Sequence, residues 1–184
     1  MDYFKQTRKS YIEIGKIYFW TATINNWQKL LAKYETKQII IDCLAYLSKQ
    51  GKITVYAFVI MPNHLHFIWR TNELNGKETA QGSFLKFTAH AFKKYLLKNN
   101  PELLASFAVT AHNKDYEFWQ RDSLAFELTR KETALQKLDY IHNNPLAEHW
   151  LLADDPIRYY YSSAKYYETG DDDFGFLTHL MDQF

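Results

Sequence analysis

The sequence predicts an α+β fold, an antiparallel central sheet covered by helices. Runs rich in β-branched and aromatic residues alternate with stretches whose apolar residues recur at helical spacing. Two of the β-type runs are separated by Pro62-Asn63 alone, which reads as two adjacent strands joined tightly. The 184 residues, 47% hydrophobic and 23% charged with 6 Gly and 4 Pro, suit one globular domain. That domain is expected over residues 1–184, with 168–184 as a C-terminal extension.

The first strand is expected over Gly15–Ile24, GKIYFWTATI, ended by the turn-like Asn25-Asn26. From Thr36 to Gln50, Ile39, Ile40, Cys43, Leu44 and Leu47 mark a core-facing helix, with Thr36 as N-cap and Gly51 as the C′ stop. Lys52–Met61 and His64–Arg70 are the next two strands. Lys77–Leu97 has helical composition and ends at Asn99-Asn100-Pro101. Leu103–Trp119 gives a weak pattern, with a short strand expected around Tyr116–Gln120. Thr129–Asn143 predicts another helix, opened by a Thr129-x-x-Glu132 capping box and stopped by Pro145. The Tyr-rich tail carries an acidic turn, Asp171-Asp172-Asp173, and no internal repeat is visible.

No apolar run approaches the length of a membrane span, and the opening MDYFKQTRKSY lacks the apolar segment of a signal peptide. A cytoplasmic protein without a membrane partner is the expectation. A lone cysteine, Cys43, makes neither an internal disulfide nor a thiolate cluster for zinc. The net charge of +1 conceals an asymmetry: residues 1–100 hold 15 Lys/Arg against 6 Asp/Glu, residues 101–184 hold 7 against 15. The first part suits a polyanionic partner; the plainer reading is that opposite charges mix on the folded surface.

Strand side chains alternate between faces, so Leu65, Phe67 and Trp69 share one face and His64, His66, Ile68 and Arg70 the other. Histidines at i and i+2 project in parallel, about 7 Å apart at Cα. They suit a two-point chelate; the plainer reading is a solvated or hydrogen-bonded polar face. Tyr140 and Asn144, four residues apart on a helix, point the same way. A Tyr hydroxyl serves as a nucleophile and an Asn oxygen as a hard-metal ligand. The alternative makes Tyr140 a packing residue and Asn144 a helix-end cap.

Taken together, Tyr56–Trp69 (YAFVIMPNHLHFIW) and Leu138–Pro145 (LDYIHNNP) resemble the single-tyrosine HUH transposases, specifically the REP-associated tyrosine transposases. That family has an "MPNHxH" strand core and a "YIxxNP" helix signature. Phe118-Trp119-Gln120-Arg121 and Tyr161-Ser162-Ser163-Ala164 are weaker echoes, so the likeness covers roughly residues 10 to 168. The resemblance implies a ferredoxin-like HUH domain in which His64, His66 and Asn144 hold a divalent Mg²⁺ or Mn²⁺. Asn144 stands where relatives often place Gln. Tyr140 is then the nucleophile that cleaves and rejoins single-stranded DNA near hairpins through a 5′-phosphotyrosine, the chemistry of DNA transposition and recombination.

Arg70, Lys86, Lys93 and Lys94 are the candidate DNA-phosphate contacts. Tyr159, Tyr160 and Tyr161 are either packing residues or base-stacking ones. The family works as monomers or as dimers that exchange the tyrosine helix, so a homodimer is one expected assembly, with residues 99–130 supplying the connection. Two other readings stand beside this one. The first is a non-catalytic single-stranded or hairpin DNA-binding relative. The second is a small-molecule metal hydrolase drawing a third ligand from His90, His112, His142 or His149.

Overall fold

The computed structural model describes residues 11–111, 114–121 and 123–184. The opening segment 1–10 and His112 lie outside the described residues. Among the described residues there are six strands: β1 (Ile17–Thr23), β2 (Ile53–Ile60), β3 (His64–Thr71), β4 (Ala108–Ala111), β5 (Lys114–Tyr116) and β6 (Leu124–Glu127). Five α-helices accompany them: α1 (Tyr34–Lys49), α2 (Ala80–Asn99), α3 (Pro101–Ala105), α4 (Lys131–Asn143) and α5 (Ala164–Thr169).

The main sheet runs β2-β3-β1-β6 and every pairing in it is antiparallel. With α1 between β1 and β2 and α2 between β3 and β6, this is the βαββαβ order of a ferredoxin-like unit. The β4–β5 hairpin is inserted before the last strand of that unit. Alternation works as expected on β3: Leu65, Phe67 and Trp69 join the core beneath α1 and α2. There Trp20 stacks on Trp69 at 4.9 Å and meets Phe84 of α2 edge-on. The opposite face is covered as well. Phe19, Val59 and Ile68 pack against Ala134, Leu138 and Ile141 of α4. A bulge in β2 between Val55 and Ala57 turns both Tyr56 and Ala57 toward this second layer.

Helix ends differ in detail from the sequence expectations. Gly51, at φ +70°, does end α1, donating to Ser48 O while Lys52 N donates to Leu47 O, a Schellman pair. Thr36 is not the N-cap. It lies inside α1, and its hydroxyl donates to Leu30 O and Lys33 O, tying the helix to the preceding turn. The expected start of α2 at Lys77 moves to Ala80, because Asn75 and Glu78 bond each other across a turn at Gly76. Thr79 then caps the helix through Gly82 N.

The Thr129–Glu132 capping box does not form. Leu128 N still donates to Ile17 O, so the chain leaves the sheet one residue too late, and Arg130 occupies the N-cap position. The weakly patterned stretch after residue 103 holds the end of α3 and the β4–β5 hairpin. Of the strand expected around Tyr116–Gln120, Tyr116 closes β5, while Trp119 bridges Ile24 and donates Nε1 to Thr88 at 3.0 Å. The edge strand β6, four residues long, had no sequence signal of its own.

The C-terminal segment covers the outer edge of β2. Ile60 N donates to Tyr161 O, Ser163 N to Phe58 O and Thr178 N to Val55 O, while Leu180 is fully buried. Tyr159 donates its hydroxyl to Ile60 O, and Tyr161 is buried beside the Lys37 ammonium, 4.8 Å from its ring. Both are packing residues; Tyr160 is exposed. Among the described residues no helix is long and apolar enough to cross a membrane.

Candidate functional site

β3 presents His64 and His66 toward the α4 side, and antiparallel pairing with β1 sets Thr23 opposite His64 and Thr21 opposite His66. Each imidazole is held by a different neighbour. Thr21 Oγ1 and His66 Nδ1 share a hydrogen bond of 2.7 Å. Asn63 donates Nδ2 to Trp27 O at 3.3 Å, which fixes its amide orientation, so Oδ1 accepts from His64 Nδ1 at 2.7 Å. The neutral His64 ring therefore carries its lone pair on Nε2. Oriented through Nδ1, both rings have the partner arrangement usual for ligating histidines. Their centroids are 4.8 Å apart.

α4 brings its chemistry to the same place. Leu138 and Ile141 anchor the helix on the sheet, leaving Tyr140, about half exposed, edge-on to His66 with ring centroids 5.2 Å apart. Phe19 stacks on His66 at 5.3 Å and meets the Tyr140 ring edge-on at 5.9 Å, with the Lys137 ammonium 4.8 Å above the Phe19 ring and 5.8 Å from that of Tyr140. Although proline follows, Asn144 keeps helical backbone angles, φ −55° and ψ −42°, and so stays in line with Tyr140. His64, His66, Tyr140 and Asn144 line one cleft of about 430 Å³, whose walls include Trp27, His149 and Trp150.

Burial dominates the electrostatics. It lowers the His64 pKa to about 4, with Asn144 opposing and His149 reinforcing the shift. His66 is held well below its ordinary value, first by burial and then by His64 and Lys137. Both rings are therefore neutral at pH 7. His66 Nε2 and Asn144 Oδ1 are buried without a hydrogen-bond partner of normal geometry, although the Asn144 side chain lies close enough to His64 to oppose the fall of its pKa by hydrogen bonding. With Thr21 Oγ1 accepting from Nδ1, His66 carries its lone pair on Nε2; that nitrogen and Asn144 Oδ1 then face the cleft as acceptors, and an N₂O donor set of imidazoles and an amide suits a divalent ion that takes its remaining ligands from phosphate and water.

The expected phosphate contacts are placed elsewhere. Lys86 pairs with Glu78 and Lys93 with Asp115 on α2, which packs against the opposite face of the sheet. Lys94 shares a shallow surface there with His90, Lys93, Leu97 and Lys98. Arg70, at the far end of β3, is engaged by Asn72, Thr54 and Gln183. Of the other histidines, His142 is bonded to Ser163 and His149 lines the cleft. Among the described residues no group of three or more His, Cys, Asp or Glu could hold a metal ion.

Thr21, Asn63 and Trp27 carry no functional signal of their own in the sequence. Thr21 and Thr23 follow once β1 is paired antiparallel with β3, since alternation then sets them beside the histidines. Asn63 lies within the MPNHLH run, and its amide bond to His64 depends on the turn that brings Trp27 O beside it. α4 is joined to β6 by three residues and packs on its own sheet, so Tyr140 meets the histidines of its own chain. The long exchangeable connection expected at 99–130 is instead occupied by α3, β4, β5 and β6.

No family model matches the chain. No curated protein matches it either. Among solved structures it matches a REP-associated tyrosine transposase bound to a REP hairpin, with a TM-score of 0.58 and 18% identity over 95% of this chain and 90% of that one. It also matches a candidate transposase from Deinococcus radiodurans R1, at 16% identity and a TM-score of 0.40, over 75% of this chain and 96% of that one. The first match shows a shared fold, the helix-covered antiparallel sheet described above.

Proposed function

We propose that this chain is a DNA strand transferase that cleaves and rejoins single-stranded DNA near hairpins, with Tyr140 as its nucleophile. The observation that carries the reading is the convergence of the Tyr140 ring with the His64–His66 pair in one cleft whose buried acceptors lack partners. The fold shared with a transposase that binds a DNA hairpin supports the same substrate class.

Tyr140 Oη attacks a DNA phosphorus and forms an O–P bond, while the bond from phosphorus to the 3′-oxygen breaks. The phenol proton leaves to solvent, and the departing oxygen takes a proton to become a 3′-hydroxyl. The product is a 5′-phosphotyrosine. Its bond energy is retained, so a second 3′-hydroxyl can reverse the attack and join a different strand. His64 Nε2, His66 Nε2 and Asn144 Oδ1 would hold Mg²⁺ or Mn²⁺, which when bound supplies Lewis-acid polarisation of a phosphate oxygen. Neutral imidazoles add no negative charge near the phosphate. Phe19 and Thr21 fix the His66 ring on two sides, and the Lys137 ammonium adds positive charge beside the tyrosine.

The test is covalent trapping with a panel of hairpin oligonucleotides and Mn²⁺, followed by peptide mapping. The expected result is a denaturant-resistant adduct on Tyr140 that Tyr140→Phe does not form. An adduct formed by Tyr140→Phe, or mapped to another tyrosine, would refute the assignment. Hairpin binding without any adduct would point to the non-catalytic reading.

A further inference from the structure

The cleft does not end at the histidines. Thr21, Thr23 and Trp27 form a rim shared with a second depression of about 240 Å³, lined beyond them by Gln120, Arg121 and Leu124. Trp27 stands on that rim with 61% of its surface exposed, an unusual place for the largest apolar side chain.

Its backbone is equally unusual. Asn26 and Trp27 are consecutive non-glycine residues in the left-handed region, at φ +54° and +55°. For a bulky side chain this conformation is disfavoured, and it persists where the surroundings over-determine it. Here they do. Trp27 N donates to Ile24 O at 3.0 Å, Asn25 N to Phe118 O at 2.7 Å and Ile24 N to Asn63 O at 2.8 Å. Asn63 closes the arrangement by donating to Trp27 O while accepting from His64. One amide therefore positions both the indole and a histidine of the cleft. Strain at an exposed indole contributes nothing to the core, so its return has to come from what the ring contacts in solution.

We infer that Trp27 is a base-stacking shelf, and that with Arg121 it forms a nucleotide subsite leading an unpaired DNA strand from the second depression into the Tyr140 cleft. This rests on the strand-transferase reading. An indole face stacks on any nucleobase without sequence preference, which suits a strand passing through. The Arg121 guanidinium, 72% exposed and steadied by Glu117 through its Nε at 3.0 Å, supplies the phosphate contact on the far side of the shelf. The sequence-expected lysines on α2 lie on the opposite face of the sheet; on this side Lys137 stands beside Tyr140, and Arg121 adds a cation at the entrance for the incoming strand.

The experiment measures binding of a fluorescein-labelled oligothymidylate, roughly 12 nucleotides long, by anisotropy in EDTA, so that no cleavage intervenes. Trp27→Gly is expected to weaken binding ~10-fold, the size of one base–aromatic stack. Its melting temperature should hold or rise, because glycine takes the left-handed conformation without penalty. Trp27→Phe should keep most of the affinity. An abasic substitution at one oligonucleotide position should cost the wild type as much as Trp27→Gly does and cost the variant nothing further. Arg121→Gln should weaken binding and reduce its salt dependence by about one phosphate contact.

If the wild type binds and Trp27→Gly binds equally well, the subsite is wrong and the Tyr140 chemistry stands. A change in oligomeric state with unchanged DNA affinity would likewise overturn it, assigning the indole to self-association. A wild type that binds no single-stranded DNA would defeat both readings.

Discussion

His142 lies two residues after the proposed nucleophile, on the side of α4 that faces the chain rather than the cleft. Its Nε2 is 2.9 Å from Ser163 Oγ, an oxygen that also accepts from Phe58 N at 3.0 Å, so the contact joins α4 to the outer edge of β2. The Tyr167 ring packs 5.2 Å away. Burial lowers the His142 pKa from an ordinary 6.5 to about 4. Below pH 6.5 the unfolded chain takes up a proton that the folded chain refuses until about pH 4. Stability is therefore full above the unfolded value and is lost as the pH falls through this window. At ~1.4 kcal/mol per unit of pKa difference, the complete loss is roughly 3 kcal/mol.

His64 and His66 titrate in the same direction, so the wild-type curve alone does not isolate His142. The assay is urea denaturation in EDTA from pH 7.5 to 4.5 for wild type and His142→Gln, which keeps a polar partner for Ser163 and cannot titrate. The stability difference between them should shift in favour of the variant by roughly 2 kcal/mol or more over that range. Parallel curves would refute the argument, and with it the idea that this end of α4 is buried on β2.

Mn²⁺ is expected to raise the unfolding midpoint of the wild type, because a ligand that binds the folded state alone stabilises it by mass action. Thr21→Val should leave the fold intact and weaken Mn²⁺ affinity by ~10- to 100-fold, read as a rightward shift of the midpoint-versus-metal curve, while Thr21→Ser keeps it; equal curves for all three would show that the His66 Nδ1 bond does not orient a ligand. Ile141→Ala removes a fully buried side chain between α4 and the sheet. It should cost about 2–5 kcal/mol in urea denaturation, and a cost below about 1 kcal/mol would mean that α4 is not docked as described.

The first strands and helices were legible because their patterns are long and their burial is one-sided. β1, α1, β2 and β3 all appear where alternation or helical periodicity put them. What was not legible is local hydrogen bonding decided by tertiary position. Thr36 and Thr129 both read as caps, yet each sits where the chain's exit from a neighbouring element has already chosen another residue. β6 is too short for a periodic signal and forms because β1 offers it an edge. At the candidate site, residue type alone left His64, His66, Tyr140 and Asn144 with plainer readings, and it is the joint occurrence of their two motifs, through the resemblance it carries, that singles them out. Thr21 and Asn63 are ordinary polar residues whose role comes from strand pairing and from one amide orientation, neither visible before β1 and β3 are set side by side.

The same pairing explains why the cleft can keep unsatisfied groups at all. A buried acceptor without a partner costs about 1–3 kcal/mol, and His66 Nε2 and Asn144 Oδ1 both carry that cost. The offset comes from elements that do not bend toward the site. Trp20, Phe67, Trp69 and Phe84 are fully buried on the far face of the sheet, and Leu138 and Ile141 seat α4 on the near face. Because α4 is held by its apolar stripe, Tyr140 and Asn144 on its adjacent face cannot move away from the histidines without unseating the helix. Polar groups that would otherwise relax toward solvent or toward one another are thereby kept apart and pointed inward, which is what a preorganised ligand set requires. On this account the second hydrophobic layer does more than cover the sheet: its packing sets the distance between the phenol and the imidazoles, and with it whether the reaction proposed for Tyr140 can occur.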